Sequence, residues 1–311
     1  MKIVVVGGGI VGLSTALVLL EHGFPDVKII ADNFDDTTSH TAGALWRPFS
    51  NAQTPDRTMD KWGDDTATWL KDLLNRYGSA TVGIQWTPGT ELHDEPPILG
   101  SLSSRYGKTY GFSFKSLLIH PGTLMAWVTK EIRARGGVFE KRTLTSLNDL
   151  DCHLVVNCSG LGARQLVGDS AVYPVRGQVI KLVNPDINQF FLSECDGHCT
   201  YILPRPGGEV ILGGTVQAHN WSLENNDKDV DEIMTRCSAL LPQVKNSRVL
   251  HAKTGLRPAN ANGTRVELDP KRTQKGAWVI HNYGHGGSGH TIHRGCAMDV
   301  VQIVKSLTSK L

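Results

Sequence analysis

The sequence has little net charge and no long apolar run. Its 32 lysines and arginines nearly balance 30 aspartates and glutamates, for a formal charge of +2, so composition does not indicate a nucleic-acid or membrane partner. No stretch approaches the roughly 18 consecutive apolar residues of a membrane span. The apolar N-terminus is broken by glycines, ends at Glu21 and His22, and precedes no small-residue cleavage site. It therefore predicts a strand and a helix rather than a signal peptide.

Cysteine is also scarce, with six residues in a chain of 311. Six cysteines in a chain of this length do not indicate a disulfide framework, and no cysteine–histidine spacing matches a zinc site, so no metal is expected. Cys195 and Cys199 are close enough to pair, although free thiols are expected in a reducing compartment. Hydrophobic residues make up 40% of the chain, which is enough for a sizeable core.

The N-terminal segment carries a dinucleotide-binding pattern. A short β-branched run ends at Val6, a glycine-rich turn and a helix follow, and a second strand ends at Asp32, which completes one βαβ unit. Gly7, Gly9 and Gly12 form G-x-G-x-x-G, whose glycines allow the tight turn, the approach of a pyrophosphate and close helix–strand packing. Asp32 follows Gly12 at the spacing of a residue that accepts hydrogen bonds from ribose. A glycine-rich turn without nucleotide remains the alternative.

The order of elements predicts the fold class. Helices and strands alternate at both ends of the chain, whereas the middle is strand-rich, so we expect an α/β (α+β) fold. A Rossmann-like cofactor domain is assigned to residues 1–45, 121–175 and 256–311, and an inserted antiparallel-sheet substrate domain to residues 46–120 and 176–255. The fingerprint does not separate FAD from NAD. The small-residue turn Ser159-Gly160 and the glycine-rich loop 284–289 favour the larger cofactor, FAD.

Several blocks of the sequence resemble one known family. They are GGGIVGLSTAL at the start, TAGALWRPF (41–49), VVNCSGLGA (155–163), PVRGQV (174–179), TYILPRPGGEVILGGTVQ (200–217), KTGLRP (253–258) and HNYGHGGSGHTIHRGCA (281–297). Their order is similar to that of D-amino-acid and D-aspartate oxidases. The resemblance implies non-covalent FAD and hydride transfer from a D-amino acid to flavin N5. The products it implies are a 2-oxo acid, ammonia and hydrogen peroxide, formed at the expense of O2.

The resemblance also places substrate and cofactor contacts. It implies that Arg257 binds the substrate carboxylate with its planar fork, that Tyr201 hydrogen-bonds the same carboxylate, and that the Gly287 carbonyl holds the amine. Phe49 is placed at the substrate pocket, and Arg47, which departs from common members of the family, is placed at the mouth of the pocket. The expected cofactor contacts are Gly7, Gly9, Ile10, Val11, Gly12, Asp32, Ser39, Gly43, Leu45, Ser159, Gly160, Gly286, Gly287, Ser288, Gly289, His290 and Thr291.

No side chain is expected to act as acid or base, because the implied mechanism requires orientation and electrostatics instead. His285, His290 and His293 are therefore interpreted as structural. The helix that begins near His290 is expected to direct its N-terminus at the flavin N1–C2 carbonyl edge, where negative charge develops on reduction.

Three positions bear on the substrate. Val216 stands where D-aspartate oxidases usually carry arginine, which favours neutral D-amino acids. Arg47 either restores affinity for acidic substrates or forms a surface salt bridge, and the salt bridge is preferred. Gly197 stands where many members have a lid tyrosine, so the segment 193–200 is expected to be a reduced lid. A D-aspartate oxidase, a glycine/sarcosine-type oxidase, an NAD-linked dehydrogenase and a non-catalytic flavoprotein stay open as alternatives.

The chain ends with Ser309, Lys310 and Leu311. This tripeptide is an address read by the peroxisomal import receptor, so the peroxisomal matrix is the expected location, which suits an enzyme that forms hydrogen peroxide. A homodimer is left open.

Overall fold

The structure, a computed structural model, describes residues 1–47, 53–94, 104–106, 109–195 and 198–309, and of residues 104–106, 109, 195 and 198 it describes the backbone alone. Phe49, Gly197, Lys310 and Leu311, all named above, lie outside the described residues. None of the described helices is long and apolar enough to cross a bilayer.

The elements follow one another along the chain in two sets. The first half comprises β1 (Ile3–Val6), α1 (Ile10–Glu21), β2 (Val27–Ala31), α2 (Thr38–Thr41), α3 (Asp56–Tyr77), α4 (Ser79–Val82), β3 (Ile84–His93), β4 (Ser104–Tyr106), β5 (Thr109–Ile119), α5 (Pro121–Ala134) and β6 (Val138–Lys141). The second half comprises β7 (Leu154–Asn157), α6 (Ala163–Leu166), β8 (Val172–Val183), β9 (Phe190–Cys195), β10 (His198–Pro204), β11 (Glu209–Gly213), β12 (Gln217–Ala218), α7 (Asp227–Leu240), β13 (Arg248–Asn260), β14 (Arg265–Leu268), β15 (Trp278–Tyr283) and α8 (Gly289–Thr308).

The first sheet has the predicted Rossmann-like arrangement. Its order is β14-β15-β7-β1-β2-β6, and β1 lies parallel between β2 and β7, with Ile3 opposite both Val27 and Leu154. Ile3 and Val5 face one buried cluster with the helices α1, α5 and α8, whereas Val4 and Val6 face another. Apolar side chains on both faces are typical of a parallel sheet covered on both sides.

The second sheet is mainly antiparallel, as predicted. Its order is β12-β8-β11-β10-β9-β3-β5-β4, and β13 pairs with the other edge of β8. The helix α7 covers one face, where Ile233 and Cys237 pack with Ile202 and Leu212. The opposite face presents Tyr201 and Leu203 towards Gly43, in the segment that follows α2. The candidate site lies between this face and the first sheet.

Two elements differ from what the sequence pattern indicates. The strand β13 spans 13 residues and carries Arg257, although no strand is predicted there. The helix α3 falls in the predicted substrate segment 46–120, yet its buried residues Trp69, Leu70 and Leu73 pack in the core of the first sheet. The exact division of the chain into domains stays a prediction.

Candidate active site

The fingerprint glycines are required by close contacts. Gly7 has φ +128°, and a Cβ there would lie 2.3 Å from the carbonyl oxygen of Cys158, just after β7. A Cβ on Gly12 would lie 2.1 Å from the Gly7 carbonyl oxygen. The sequence predicts a turn from Gly7 to Gly12, but α1 already begins at Ile10, so Gly12 lies in the first turn of the helix. The close helix–strand approach predicted for the third glycine is therefore present.

The predicted cofactor residues gather at one end of the first sheet. They follow the carboxyl ends of β1, β2, β7 and β15, where ligands of parallel α/β sheets bind. They fall into five short segments, Gly7 to Gly12, Asp32, Ser39 to Leu45, Ser159 to Gly160, and Gly286 to Thr291.

Two helix N-termini meet in this region. Neither α1 nor α8 has a side-chain cap or an acidic residue in its first turn. A Cβ on Gly289, the first residue of α8, would lie 4.0 Å from Ile10, the first residue of α1. The backbone N–H of Ile10 donates to Ser39 Oγ at 3.1 Å. Two helix N-termini without an acidic residue in their first turns form a positive environment that suits a pyrophosphate and a reduced flavin.

Buried polar atoms support a polar ligand at the same place. Ser288 Oγ, the Nδ1 atom of His290 and Asn157 Nδ2 are buried, and none has a hydrogen-bond partner within the protein. Buried polar groups without a partner destabilise a fold unless a ligand or water satisfies them. These residues lie at the start of α8 and at the end of β7. The residues present therefore fit FAD.

The substrate side of the site contains Arg257. Its guanidinium lies across Gly177 of β8, where a Cβ would come within 2.3 Å of Nη1. The Nη1 group donates to the carbonyl oxygen of Thr215 at 3.0 Å. These contacts fix the guanidinium on the face of the second sheet that Tyr201 shares.

Tyr201 stands beside this arginine. Its ring lies over Gly213, whose added Cβ would come within 2.1 Å of Cζ, and next to Gly43. Burial raises the pKa of the Tyr201 hydroxyl, and the nearby positive charge of Arg257 acts in the opposite direction. The hydroxyl therefore stays protonated at neutral pH and can donate a hydrogen bond. The structure brings the two predicted carboxylate ligands together.

The loop 284–289 adjoins the strand that carries Arg257. The N–H of Gly286 donates to the carbonyl oxygen of Pro258 at 2.9 Å, and His285 bridges to Ala259. Gly287 is exposed at the tip of this loop. A second connection runs through α2, because Thr38 Oγ1 donates to the Leu256 carbonyl oxygen. The cofactor side and the substrate side thus form one site.

Arg47 does not present a free guanidinium. It forms a two-point ion pair with Glu91, in which Nε donates to Oε2 at 2.8 Å and Nη2 bonds Oε1. The preferred salt-bridge interpretation is correct, but the location on the surface is wrong, because the Glu91 side chain is 1% exposed. A second carboxylate, on Glu194, lies 3.8 Å from Nη1 of Arg47. Sequence reasoning did not identify either glutamate.

The three histidines near α8 are all buried. Burial lowers the pKa of both His285 and His290 to about 4, and it lowers the pKa of His293 well below its usual value. They are neutral at physiological pH. His290 Nε2 lies 2.9 Å from the Ser39 carbonyl oxygen, so this nitrogen carries the proton and donates. The structure gives His290 a positioning contact.

The remaining predicted positions differ in exposure. Val216 is 65% exposed, and Asp32 is exposed directly after β2. Thr291 Oγ1 donates to the Arg47 carbonyl oxygen at 3.4 Å, and Leu45 bridges to Leu118. Cys199 is a free thiol.

Comparison with known proteins shows the family. The family model described as FAD dependent oxidoreductase matches residues 2–118 and 85–303. The D-amino-acid oxidase of Streptomyces coelicolor is 36% identical over 97% of this chain and 96% of its own length. The human D-aspartate oxidase is 33% identical over 100% of this chain and 96% of its own length.

Solved structures show the same fold. The glycine oxidase of Bacillus cereus has a TM-score of 0.80 at 17% identity, and covers 98% of this chain and 95% of its own. At that identity the likeness shows the fold alone. Because the match at sequence level extends over nearly the whole chain, the protein belongs to the FAD-dependent oxidoreductase family of D-amino-acid and D-aspartate oxidases.

Proposed function

We propose that this enzyme oxidises D-amino acids to 2-oxo acids, with release of ammonia and hydrogen peroxide. The observation that carries the proposal is that Arg257 and Tyr201 lie on one face of the second sheet, beside the loop 284–289. An amino acid presents one carboxylate, and this pair offers a planar cation and a neutral donor on the same face. The choice of the D-enantiomer rests on the names of the relatives.

Each protein group has a role in orientation or charge. Arg257 and Tyr201 bind the carboxylate, and the Gly287 carbonyl accepts a hydrogen bond from the amine. Three-point binding of this kind fixes the direction of the Cα–H bond. Bound FAD would supply the two-electron acceptor for the Cα hydride, and O2 the final oxidant. The imino acid left by loss of this hydride and of an amine proton takes up water to give the 2-oxo acid and ammonia. The N-terminus of α8 stabilises the negative charge that develops on that acceptor.

We further propose that neutral side chains are preferred over acidic ones. Val216 offers no charge to a side-chain carboxylate, and Arg47 is neutralised by Glu91. Oxidation of acidic D-amino acids stays the alternative, because one relative is named D-aspartate oxidase.

A substrate panel tests the proposal. The holoenzyme is incubated with D-alanine, D-aspartate, glycine and sarcosine, and hydrogen peroxide and ammonia are both measured. We expect equal amounts of the two products, and the highest kcat/KM for D-alanine. Faster turnover of D-aspartate would assign the enzyme to the acidic class, and faster turnover of sarcosine would indicate a glycine/sarcosine-type oxidase.

The proposed location is the peroxisomal matrix. Its support is the tripeptide Ser309-Lys310-Leu311 and the formation of peroxide. Fluorescent fusions at the N-terminus, with and without these three residues, test it. We expect punctate fluorescence only when the tripeptide is present.

A further inference from the structure

Charged side chains continue along the sheet face that carries Tyr201. On β10, Cys199 lies two residues before Tyr201, and it pairs with Glu194 of β9. Glu194 in turn pairs with His93 of β3. Directly opposed residues, and residues two apart in one strand, share a face. Cys199, Glu194, His93 and Glu91 therefore all stand on the face that holds the substrate carboxylate.

The charged side chains in this group meet at Arg47. Glu91 is buried and engages Arg47 through both of its oxygens, which fixes and neutralises that arginine. Glu194 lies 3.8 Å from Arg47 Nη1, beyond hydrogen-bond distance, and its side chain is 52% exposed. Arg47 carries one positive charge against two carboxylates, and His93 Nε2 contacts Glu91 Oε1 at 3.0 Å. The exposed carboxylate of the group belongs to Glu194, which shares Arg47 with Glu91.

On this face, Cys199 lies between Tyr201 and Glu194. Its pKa is raised, first by burial and then by the charge of Glu194, whereas Arg257 and Arg47 lower it. Cys199 is close enough to both Arg257 and Glu194 to respond to the charge of each. A substrate bound to Arg257 that extends its side chain past Cys199 thus approaches Glu194.

The distance along this face favours a long side chain. The hydroxyl of Tyr201 lies over Gly213 of β11, and Glu194 belongs to β9, two strands away. Neighbouring strands are ~4.8 Å apart, and Glu194 stands two residues along β9 from Leu192, the partner of Tyr201, so the separation is about 12 Å. The short side chain of aspartate ends well before that point. Lysine carries its ammonium on a flexible four-carbon stem, which, together with the Glu194 side chain, spans the gap.

We propose that Glu194 is a specificity-determining residue, which selects D-amino acids with long cationic side chains, such as D-lysine and D-arginine, over acidic ones of similar length. The inference rests on the proposed oxidation of D-amino acids and names a charged substrate class beyond the neutral ones. Arg47 acts as a positioning residue. Buried Glu91 holds it, and its guanidinium keeps the Glu194 carboxylate where the end of a long substrate side chain would lie.

The test compares D-amino acids whose side chains are similar in length and different in charge. D-lysine, D-norleucine and D-2-aminoadipate have side chains of similar length that are cationic, neutral and anionic. For the wild-type holoenzyme at low ionic strength, kcat/KM is expected to rank them in that order. In Glu194→Gln, the ratio of kcat/KM for D-lysine to that for D-norleucine is expected to fall about fivefold, the upper range for one half-exposed ion pair. Glu194→Lys is expected to place D-2-aminoadipate above D-lysine.

Glu232→Gln is the matched control. Glu232 is 47% exposed on α7, which covers the other face of the sheet, so the ratio is expected to stay at the wild-type value. Visible spectra verify that every variant retains flavin. An unchanged ratio in Glu194→Gln, or a wild-type preference for D-2-aminoadipate over D-norleucine, would overturn the inference and leave the proposed function standing. If no D-amino acid at all is oxidised, both the proposed function and this inference are wrong.

Discussion

The guanidinium of Arg257 rests on the bare backbone of Gly177, and a Cβ at that position would overlap Nη1 at 2.3 Å. In the β13–β8 register Gly177 pairs with Gly255, and Arg257 pairs two residues away with Val175. The arginine side chain therefore leans back along the neighbouring strand. Gly177 belongs to the substrate site because a residue without a Cβ leaves room for the Arg257 guanidinium.

This contact predicts the effect of Gly177→Ala. The overlapping atoms are the far end of a flexible side chain, so the fold survives but the guanidinium moves. We expect kcat/KM for D-alanine to fall at least tenfold, since a displacement of about 1 Å costs that much or more. FAD affinity is expected to stay unchanged. Gly122→Ala is the control, because its Cβ meets His120 at an ordinary 3.5 Å; an equal loss in both variants would contradict the assignment.

Replacement of Arg257 tests the carboxylate anchor itself. Arg257→Ala is expected to weaken substrate binding by about 2–5 kcal/mol, the scale for removing one partner of a buried charge pair. Arg257→Lys keeps the charge but loses the planar fork, so its loss is expected to be intermediate. The Kd for D-alanine, from anaerobic flavin reduction as a function of substrate concentration, measures both. Wild-type Kd values in Arg257→Ala would remove the anchor.

Tyr201→Phe removes a single hydroxyl from the same group. A hydrogen bond to a charged partner contributes about 1.5–3 kcal/mol, and we expect the KM for D-alanine to rise accordingly. Because both residues bind one carboxylate, the combined variant with Arg257→Ala is expected to lose less than the sum of the two single losses. Strict additivity in this double-mutant cycle would show that the residues act on different parts of the substrate.

His290 is expected to stabilise the cofactor site by joining two of its segments. Its Nε2–H donates to Ser39, whose hydroxyl accepts from the N–H of Ile10, so it links the N-termini of α8 and α1. His290→Leu is expected to weaken FAD binding by about 1–3 kcal/mol, the cost of an unsatisfied buried acceptor. His290→Gln, which retains a terminal N–H donor, is expected to restore most of it. Titration of the apoprotein with FAD, followed by flavin fluorescence, would contradict this role if His290→Leu bound like the wild type.

The buried histidines predict a loss of stability in mild acid. His285 and His290 have a pKa of about 4 in the folded protein, against about 6.5 when unfolded. Between these values the unfolded chain binds more protons, so the free energy of unfolding falls as pH decreases from 6.5 towards 4. Each histidine contributes a slope of about 1.4 kcal/mol per pH unit.

Urea unfolding of the holoenzyme with excess FAD, from pH 7 to pH 5, measures this slope. His285→Leu is expected to reduce the slope of the free energy of unfolding against pH. The same change at exposed His251 is expected to leave the slope unchanged. A free energy of unfolding that stays constant over this range in the wild type would contradict the prediction that these histidines stay neutral in the folded protein.

The close contacts of the first glycine-rich turn were easier to predict than the long-range contacts of Arg47. Gly7 and Gly12 act within one turn, so their spacing alone indicated the contacts that the structure shows. The ion pair of Arg47 with Glu91 joins separate elements, and Glu194 reaches it through the parallel pairing of β3 with β9. No short-range pattern encodes that pairing. The alternation of Glu91 and His93 within β3 was the one local signal available.

The central claim is most directly tested by anaerobic mixing of the holoenzyme with D-alanine and, separately, with L-alanine, while the absorbance of oxidised flavin is followed. We predict that D-alanine removes this absorbance within seconds, that L-alanine leaves it unchanged, and that Arg257→Ala responds only at far higher concentrations of D-alanine. A flavin that stays oxidised with every D-amino acid, or that is reduced equally by both enantiomers, would contradict the account.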